Sequence, residues 1–227
     1  MSGYVLKIIA IVTMLIDHAT AILVPTNTMT YLIGRSIGRL AFPIFCFLLV
    51  QGLLHTKNIQ KYLTRLGLFA LISEIPFDLA FSDNSTQWGF LEHQNIFFTL
   101  FIGLGVIYLM SIIEKKFVNN IFLSNIFNML VVLAGSFLAV LLSTDYSFGG
   151  ILLIVAFYLF RENKLLLTVA VFIVNAYMFG GIQGLATLSM IFIWFYNGQR
   201  GQKMNKYLFY AFYPVHILIL YLISLVI

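Results

Sequence analysis

Apolar residues run along this chain in long blocks separated by short polar connections. Nine blocks stand out, at 5–24, 31–54, 60–81, 95–113, 121–142, 147–160, 164–179, 182–197 and 206–227. About 20 apolar residues in a helix cross the hydrocarbon of a bilayer, so the longer blocks predict transmembrane helices. The three blocks between 147 and 197 are shorter and predict tilted, re-entrant or bilayer-thinning helices. The first block, Val5 to Val24, lacks a small-residue cleavage site and predicts a retained first helix. No internal repeat, low-complexity tract or long linker divides the chain. The expected fold is all-α: one polytopic transmembrane helical bundle over 1–227, with about nine spans.

The polar connections set an orientation. Lys7, the Lys57–Lys61–Arg65 group, Lys115 and Lys116, Arg161 and Lys164, and Arg200, Lys203 and Lys206 fall on alternate connections. The intervening ones, near 25–30, 82–94, 143–147 and 180–182, carry no Lys or Arg. The positive-inside rule predicts a cytoplasmic amino terminus and, with nine spans, an outer carboxyl terminus. Composition agrees: 61% of residues are hydrophobic and 9% charged, whereas a soluble domain carries about 25%. The net charge of +5 is dispersed among loops, which argues against a nucleic-acid partner. The lone Cys46, in an apolar run, reads as a small buried hydrophobe.

On this topology an unusual set of polar residues falls in the outer half of the membrane. It comprises Asp17 and His18, Arg35 and Arg39, Glu74 and Asp78, Glu92, His93, Gln94 and Asn95, Asp145 and Tyr146, and His216. An ionisable group at the centre of a span costs about 2.5–3.5 kcal/mol on insertion scales, so these groups are expected to face inward, around a shared polar cavity. Arg35 and Arg39 share a helix face, as do Glu74 and Asp78, with Pro76 between the latter expected to kink the helix. Two arginines and several carboxylates make a natural ion-pair set. Its simplest role is mutual neutralisation, although apolar packing serves stability as well as a buried ion pair does. Asp17 points about 100° away from His18 and can pair with an arginine instead.

Lys7 and His18 return to within about 20° of one helix face, ~16 Å apart along the axis. A cation at the cytoplasmic mouth and a deep imidazole on one side of one helix suit an elongated anionic cofactor. The plainer readings are a positive-inside lysine and a hydrogen-bonded core histidine. His18, His55, His93 and His216 show no metal-ligand spacing, so no metal site is expected. There is no phosphate-cradling Gly-rich loop and no GxSxG motif. Gly34-x-x-x-Gly38 and Gly180-x-x-x-Gly184 read as close helix contacts. Trp88 and Tyr146 read as members of an interfacial belt.

Several strings resemble the TraX family, in the family's order and over essentially the whole chain. They are Leu6-Lys7-Ile8-Ile9-Ala10 leading to Leu15-Ile16-Asp17-His18, the run Gly38-Arg39-Leu40-Ala41-Phe42-Pro43 on to Gln51-Gly52, and Leu71-Ile72-Ser73-Glu74-Ile75-Pro76-Phe77-Asp78. Gln94-Asn95-Ile96-Phe97-Phe98, Asp145-Tyr146 with Gly149-Gly150, and Phe212-Tyr213-Pro214-Val215-His216 complete the resemblance. The family is named for N-acetylation of conjugative pilin subunits. A second resemblance, over the first two helices, is to the membrane acyltransferases of family three, which carry an Arg, ten residues and a His, then paired arginines. Here Lys7 stands in the first position, His18 in the second, and the arginines are Arg35 and Arg39.

These resemblances imply a multi-pass protein of the bacterial inner membrane, embedded in lipid. It would move an acetyl group from cytoplasmic acetyl-CoA to a peptide or glycan acceptor at the outer face. His18 would be the general base, with Asp17, Glu74 or Asp78 orienting it. Lys7, Arg35, Arg39 and His216 would contact the cofactor or the developing oxyanion, with His216 a second candidate base. Gln94, Asn95, Asp145 and Tyr146 would meet the acceptor. Two other classes remain open: a small transporter or flippase with a buried Arg–carboxylate–His relay, and a non-enzymatic assembly factor.

Overall fold

The computed structural model describes residues 1–81 and 93–226; Trp88 and Glu92 lie outside them. Among the described residues the fold is all-α, with ten α-helices and no strand. The helices are α1 (Gly3–Leu23), α2 (Met29–Gly38), α3 (Ala41–His55), α4 (Ile59–Phe81), α5 (Ile96–Lys116), α6 (Ile121–Leu141), α7 (Ser147–Leu159), α8 (Lys164–Ile173), α9 (Ser189–Trp194) and α10 (Lys206–Ser224). Five passages are long and apolar enough to cross a membrane: α1, α2 and α3 taken together, α5, α6 and α10. Helix α4 has 23 residues, but Lys61, Arg65, Glu74 and Asp78 reduce its apolarity. The count by length and apolarity is therefore five, against the nine expected.

The shortfall comes mainly from the region between 147 and 194, whose apolar helices have 10–17 residues. Helix α7 has 13 residues, about 20 Å at 1.5 Å per residue. It is buried without a break from Gly149 to Tyr158 except at Leu152, enclosed by α3, α5 and α6. A helix that is apolar all round is one surrounded by protein. The apolarity of this block thus reflects the protein core. The next two blocks are composite. Helix α8 passes into a π-helical turn at Val174–Phe179, and a 3₁₀ segment at Gly181–Leu188 leads into α9. Between them Gly180 and Gly181 take φ of 63° and 52°, backbone that glycine adopts without strain. A Cβ at Gly180 or Gly184 would meet no atom within 4 Å. The spacing Gly180-x-x-x-Gly184 therefore marks an elbow, not the close helix contact expected.

The other glycine pair does seat two helices closely. A Cβ on Gly34 would overlap the Thr20 side chain, and one on Gly38 would overlap the Asp17 carboxyl. Their absence lets α2 lie against α1. Helix α2 stops at Gly38, and α3 restarts at Ala41 with Pro43 in its first turn, where a missing N–H is tolerated. Membrane-type exposure is plain on α6, where Phe122, Met129, Leu133, Phe137 and Leu141 are exposed.

Backbone hydrogen bonds tie the loops together at each end. At one end Gly3 N–H donates to Gln199 O at 2.8 Å and Tyr4 N–H to Arg200 O at 2.9 Å. Arg200 Nη2 donates to His55 O at 2.7 Å, drawing in the loop after α3. At the other, Gln94 N–H donates to Ser143 O at 3.0 Å and Asp145 N–H to Gln94 O at 2.9 Å. Ser143 and Ser147 bracket that loop at φ of 50° and 45°. Two non-glycine residues in left-handed backbone is a strained arrangement of the kind that recurs at functional sites.

Candidate functional site

Neighbours on a helix point about 100° apart, and this separates Asp17 from His18. Asp17 faces α2, where it accepts from Arg35 Nη1 at 2.8 Å and from Arg39 Nη2 at 2.7 and 2.9 Å. One carboxylate against two guanidiniums leaves this triad with a net charge of +1. The alternative in which the arginines pair with Glu74 and Asp78 on α4 is not the one adopted.

Arg39 is held from two further directions. Its Nε donates to Arg35 O at 3.2 Å, where a cation suits the end of α2. Its Nη1 donates to Gln183 Oε1 at 3.1 Å. Gln183 Nε2 donates to Asn175 Oδ1 at 3.0 Å, and Asn175 Nδ2 donates to Val171 O at 2.8 Å. Guanidinium only donates and a carbonyl only accepts, so both amide orientations follow from the two ends of this chain. Gln183 and Asn175 were missed in the sequence. Their signal, an uncharged amide within an apolar block, is weaker than that of a charge.

His18 faces α10. Its Nδ1 lies 2.7 Å from His216 Nε2, and His216 Nδ1 donates to Phe212 O at 2.6 Å. The two imidazoles are parallel to within 2°, with centroids 4.9 Å apart. The nitrogen–nitrogen approach takes up most of that separation, so the rings meet edge to edge. Phe81 and Tyr213 set ring edges against His18 at 5.6 and 5.7 Å. The sequence reading had a carboxylate orienting His18; the structure puts His216 there, because Asp17 points to the arginines. His216 itself sits behind His18, 5% exposed, and is not among the residues that line the two cavities described below.

The carboxylates of α4 lie elsewhere. Glu74 is 1% exposed, and its Oε2 accepts from Asn95 Nδ2. Asn95 Nδ2 also donates to Ala70 O at 2.8 Å, and Asn95 Oδ1 caps α5 by accepting from Phe97 N–H at 3.0 Å. Asn95 thus joins α4 to α5. Gln94, 3% exposed, aligns its backbone with the 143–146 loop. Glu74, Asp78, Gln94 and Asn95 do not line either of the two cavities described next. The clamp at Gln94 instead brings His93 Nε2 to 3.6 Å from Asp145 Oδ1. Pairing with Asp145 raises the His93 imidazole above its ordinary pKa, against the opposing effect of burial. Tyr146 stacks on Phe42 with centroids 3.7 Å apart and forms part of a cavity wall.

Two cavities flank this cluster. The smaller, about 300 Å³, is lined by the Asp17–Arg35–Arg39 triad, His18, His93 and Asp145, among others. The larger, about 740 Å³, has Lys7, Lys57, Arg65, Arg200, Lys203 and Lys206 in its wall, with apolar residues between them. Met14, Phe45, Ile96 and Tyr213 line both. A cation-rich chamber and a chamber holding the imidazole–arginine cluster therefore share one wall. Among the described residues, no group of three or more His, Cys, Asp or Glu could hold a metal ion.

Comparison with known proteins adds three findings. The family model described as TraX protein matches residues 2–224. A protein named probable fimbrial assembly protein FimC, serogroup H1, from Dichelobacter nodosus is 32% identical over 243 residues, covering 96% of this chain and 94% of that protein. No solved structure matches the chain.

Proposed function

This chain belongs to the TraX family, and on that premise we propose that it is an integral membrane acetyltransferase. The acyl donor is acetyl-CoA from the cytoplasm. The acceptor is an amine or hydroxyl at the outer face, with the amino terminus of a pilin-type subunit favoured by the fimbrial name of its relative. The basic connections support a cytoplasmic amino terminus, with the cation-rich chamber opening to the same side.

The observation that carries this reading is the wall shared by the two cavities. The larger chamber offers Lys and Arg to the phosphates of a nucleotide and apolar surface to a pantetheine arm. Lys7 and His18 are separated by ~16 Å of helix, comparable with that arm's reach. The thioester would then lie beside His18 and the triad. In the reaction, His18 Nε2 takes the proton of the acceptor N–H or O–H as its lone pair attacks the acetyl carbonyl carbon. The net positive charge of the triad opposes the negative charge that develops on the carbonyl oxygen. The C–S bond then breaks, and the proton on His18 Nε2 passes to the departing thiolate. The products are the acetylated acceptor and free CoA.

The test is thermal unfolding of the detergent-solubilised protein with acetyl-CoA or CoA, comparing wild type with Lys7→Ala and His18→Ala. The expected result is stabilisation of the wild type by both ligands, weaker in Lys7→Ala. His18→Ala should bind acetyl-CoA yet transfer no acetyl. No stabilisation of well-folded wild type at saturating acetyl-CoA would refute the reading and turn attention to transport or assembly.

A further inference from the structure

We infer that His216 is a positioning residue, which fixes His18 in the one tautomer able to act as a base toward the cavity. The inference rests on the acetyltransferase reading for its consequence, but its geometry stands apart from it. The chain of reasoning begins at Phe212. A backbone carbonyl can only accept, so the 2.6 Å contact requires the proton of His216 to be on Nδ1. With the ring neutral, His216 Nε2 is then a bare acceptor. His18 Nδ1, 2.7 Å from it, must therefore carry the proton of His18. That leaves the lone pair of His18 on Nε2, on the ring that lines the smaller cavity.

The arrangement does for His18 what a carboxylate does in other catalytic histidine pairs, but without a negative charge. Here Asp17, its neighbour in the chain, is committed to Arg35 and Arg39. A neutral acceptor orients the imidazole equally well. When His18 gains a proton from the acceptor, its Nδ1–H continues to donate to His216, and His216 Nδ1–H to Phe212 O. The charge is thus met by a polarised two-bond chain, and no second proton has to move. Helix α10 is shaped for this. Phe212 and His216 are one turn apart, so the side chain reaches back to a carbonyl of its own helix. The Phe212 ring stacks on His216 at 4.7 Å and 19°, which holds its plane.

The substitution His216→Gln keeps an acceptor oxygen at comparable reach, whereas His216→Leu removes it. Two readouts apply to the purified full-length protein. The first is ¹⁵N NMR of the His18 imidazole, assigned with His18→Asn. Wild type and His216→Gln should show a protonated Nδ1 and a bare Nε2, and His216→Leu should lose that pattern. The second is acetyl transfer to a pilin-type peptide amino terminus. His216→Leu should lower kcat about 100-fold with the KM for acetyl-CoA unchanged, and His216→Gln should restore most of it. A His18 tautomer unaltered in His216→Leu, or a glutamine variant as slow as the leucine one in folded protein, would overturn the inference. Absence of transfer by the wild type itself would refute the acetyltransferase reading instead, and the NMR result would still decide the tautomer.

Discussion

Replacing Asp17 by Asn tests the centre of the cluster. The substitution keeps the size of the side chain and removes its charge. The carboxylate accepts three charge-assisted bonds, at 2.7, 2.8 and 2.9 Å, from two guanidiniums. The Asp17 side chain is 13% exposed and those of Arg35 and Arg39 are 23% and 14% exposed, so water does little to replace it. Breaking a buried ion pair by removing one partner costs about 3–5 kcal/mol, because the other charge stays behind unpaired. Two orphaned cations push toward the upper end; the partial exposure of Arg35 and the retained amide oxygen push down. We expect about 3–4 kcal/mol. At roughly 2–4 °C per kcal/mol for a chain of this size, Tm in detergent should fall by about 6–16 °C. Adding Arg39→Gln should recover part of the loss, since one unpaired charge is then removed as well, giving a marked departure from additivity. A fall of less than ~3 °C in Asp17→Asn with helicity unchanged, or an additive double variant, would refute the idea that the triad is a coupled ion network.

Three further outcomes follow from other parts of the structure. Gly38→Ala should force α2 off α1 at Asp17, costing about 1–3 kcal/mol by overpacking, and should abolish acetyl transfer; full activity would show that α2 can shift freely. In Lys7→Gln and Arg200→Gln, acetyl-CoA should bind several-fold more weakly while a phosphate-free acetyl-pantetheine should bind as before, by competition with a fluorescent CoA; equal losses for both ligands would remove the phosphate role from the cationic mouth. His93 should titrate by NMR above its ordinary value of about 6.5, and Asp145→Asn should bring it back. Because its folded pKa is raised, the pair supports the loop fully below the unfolded value and loses that support as pH rises through the folded one. A His93 midpoint indifferent to Asp145→Asn would contradict that pairing.

The amino-acid sequence by itself determined the helical, membrane-type character of this protein, because apolar block length and the scarcity of charge are local and summable. It also suggested that the intramembrane polar residues, Asp17, His18, Arg35 and Arg39 among them with Glu74, Asp78 and others, gather inside the bundle, since a charge in hydrocarbon needs a partner. The Gly34–Gly38 contact was legible for a related reason: close approach of two backbones demands small residues at helical spacing. The partner assignments were not legible. Asp17 and Glu74 look alike as intramembrane carboxylates, yet the first meets two arginines and the second meets Asn95. The choice depends on which helix lies beside which, and periodicity along one helix says nothing about that. The same limit concealed the roles of His216, Gln183 and Asn175. They reach the site only because α10 packs on α1 and the glycine elbow at 180–181 turns the chain back toward Arg39. It also left the surroundings of the short α7 block undecided, because apolar residues facing lipid and apolar residues facing protein are identical in composition. Only the tertiary packing separates those two environments.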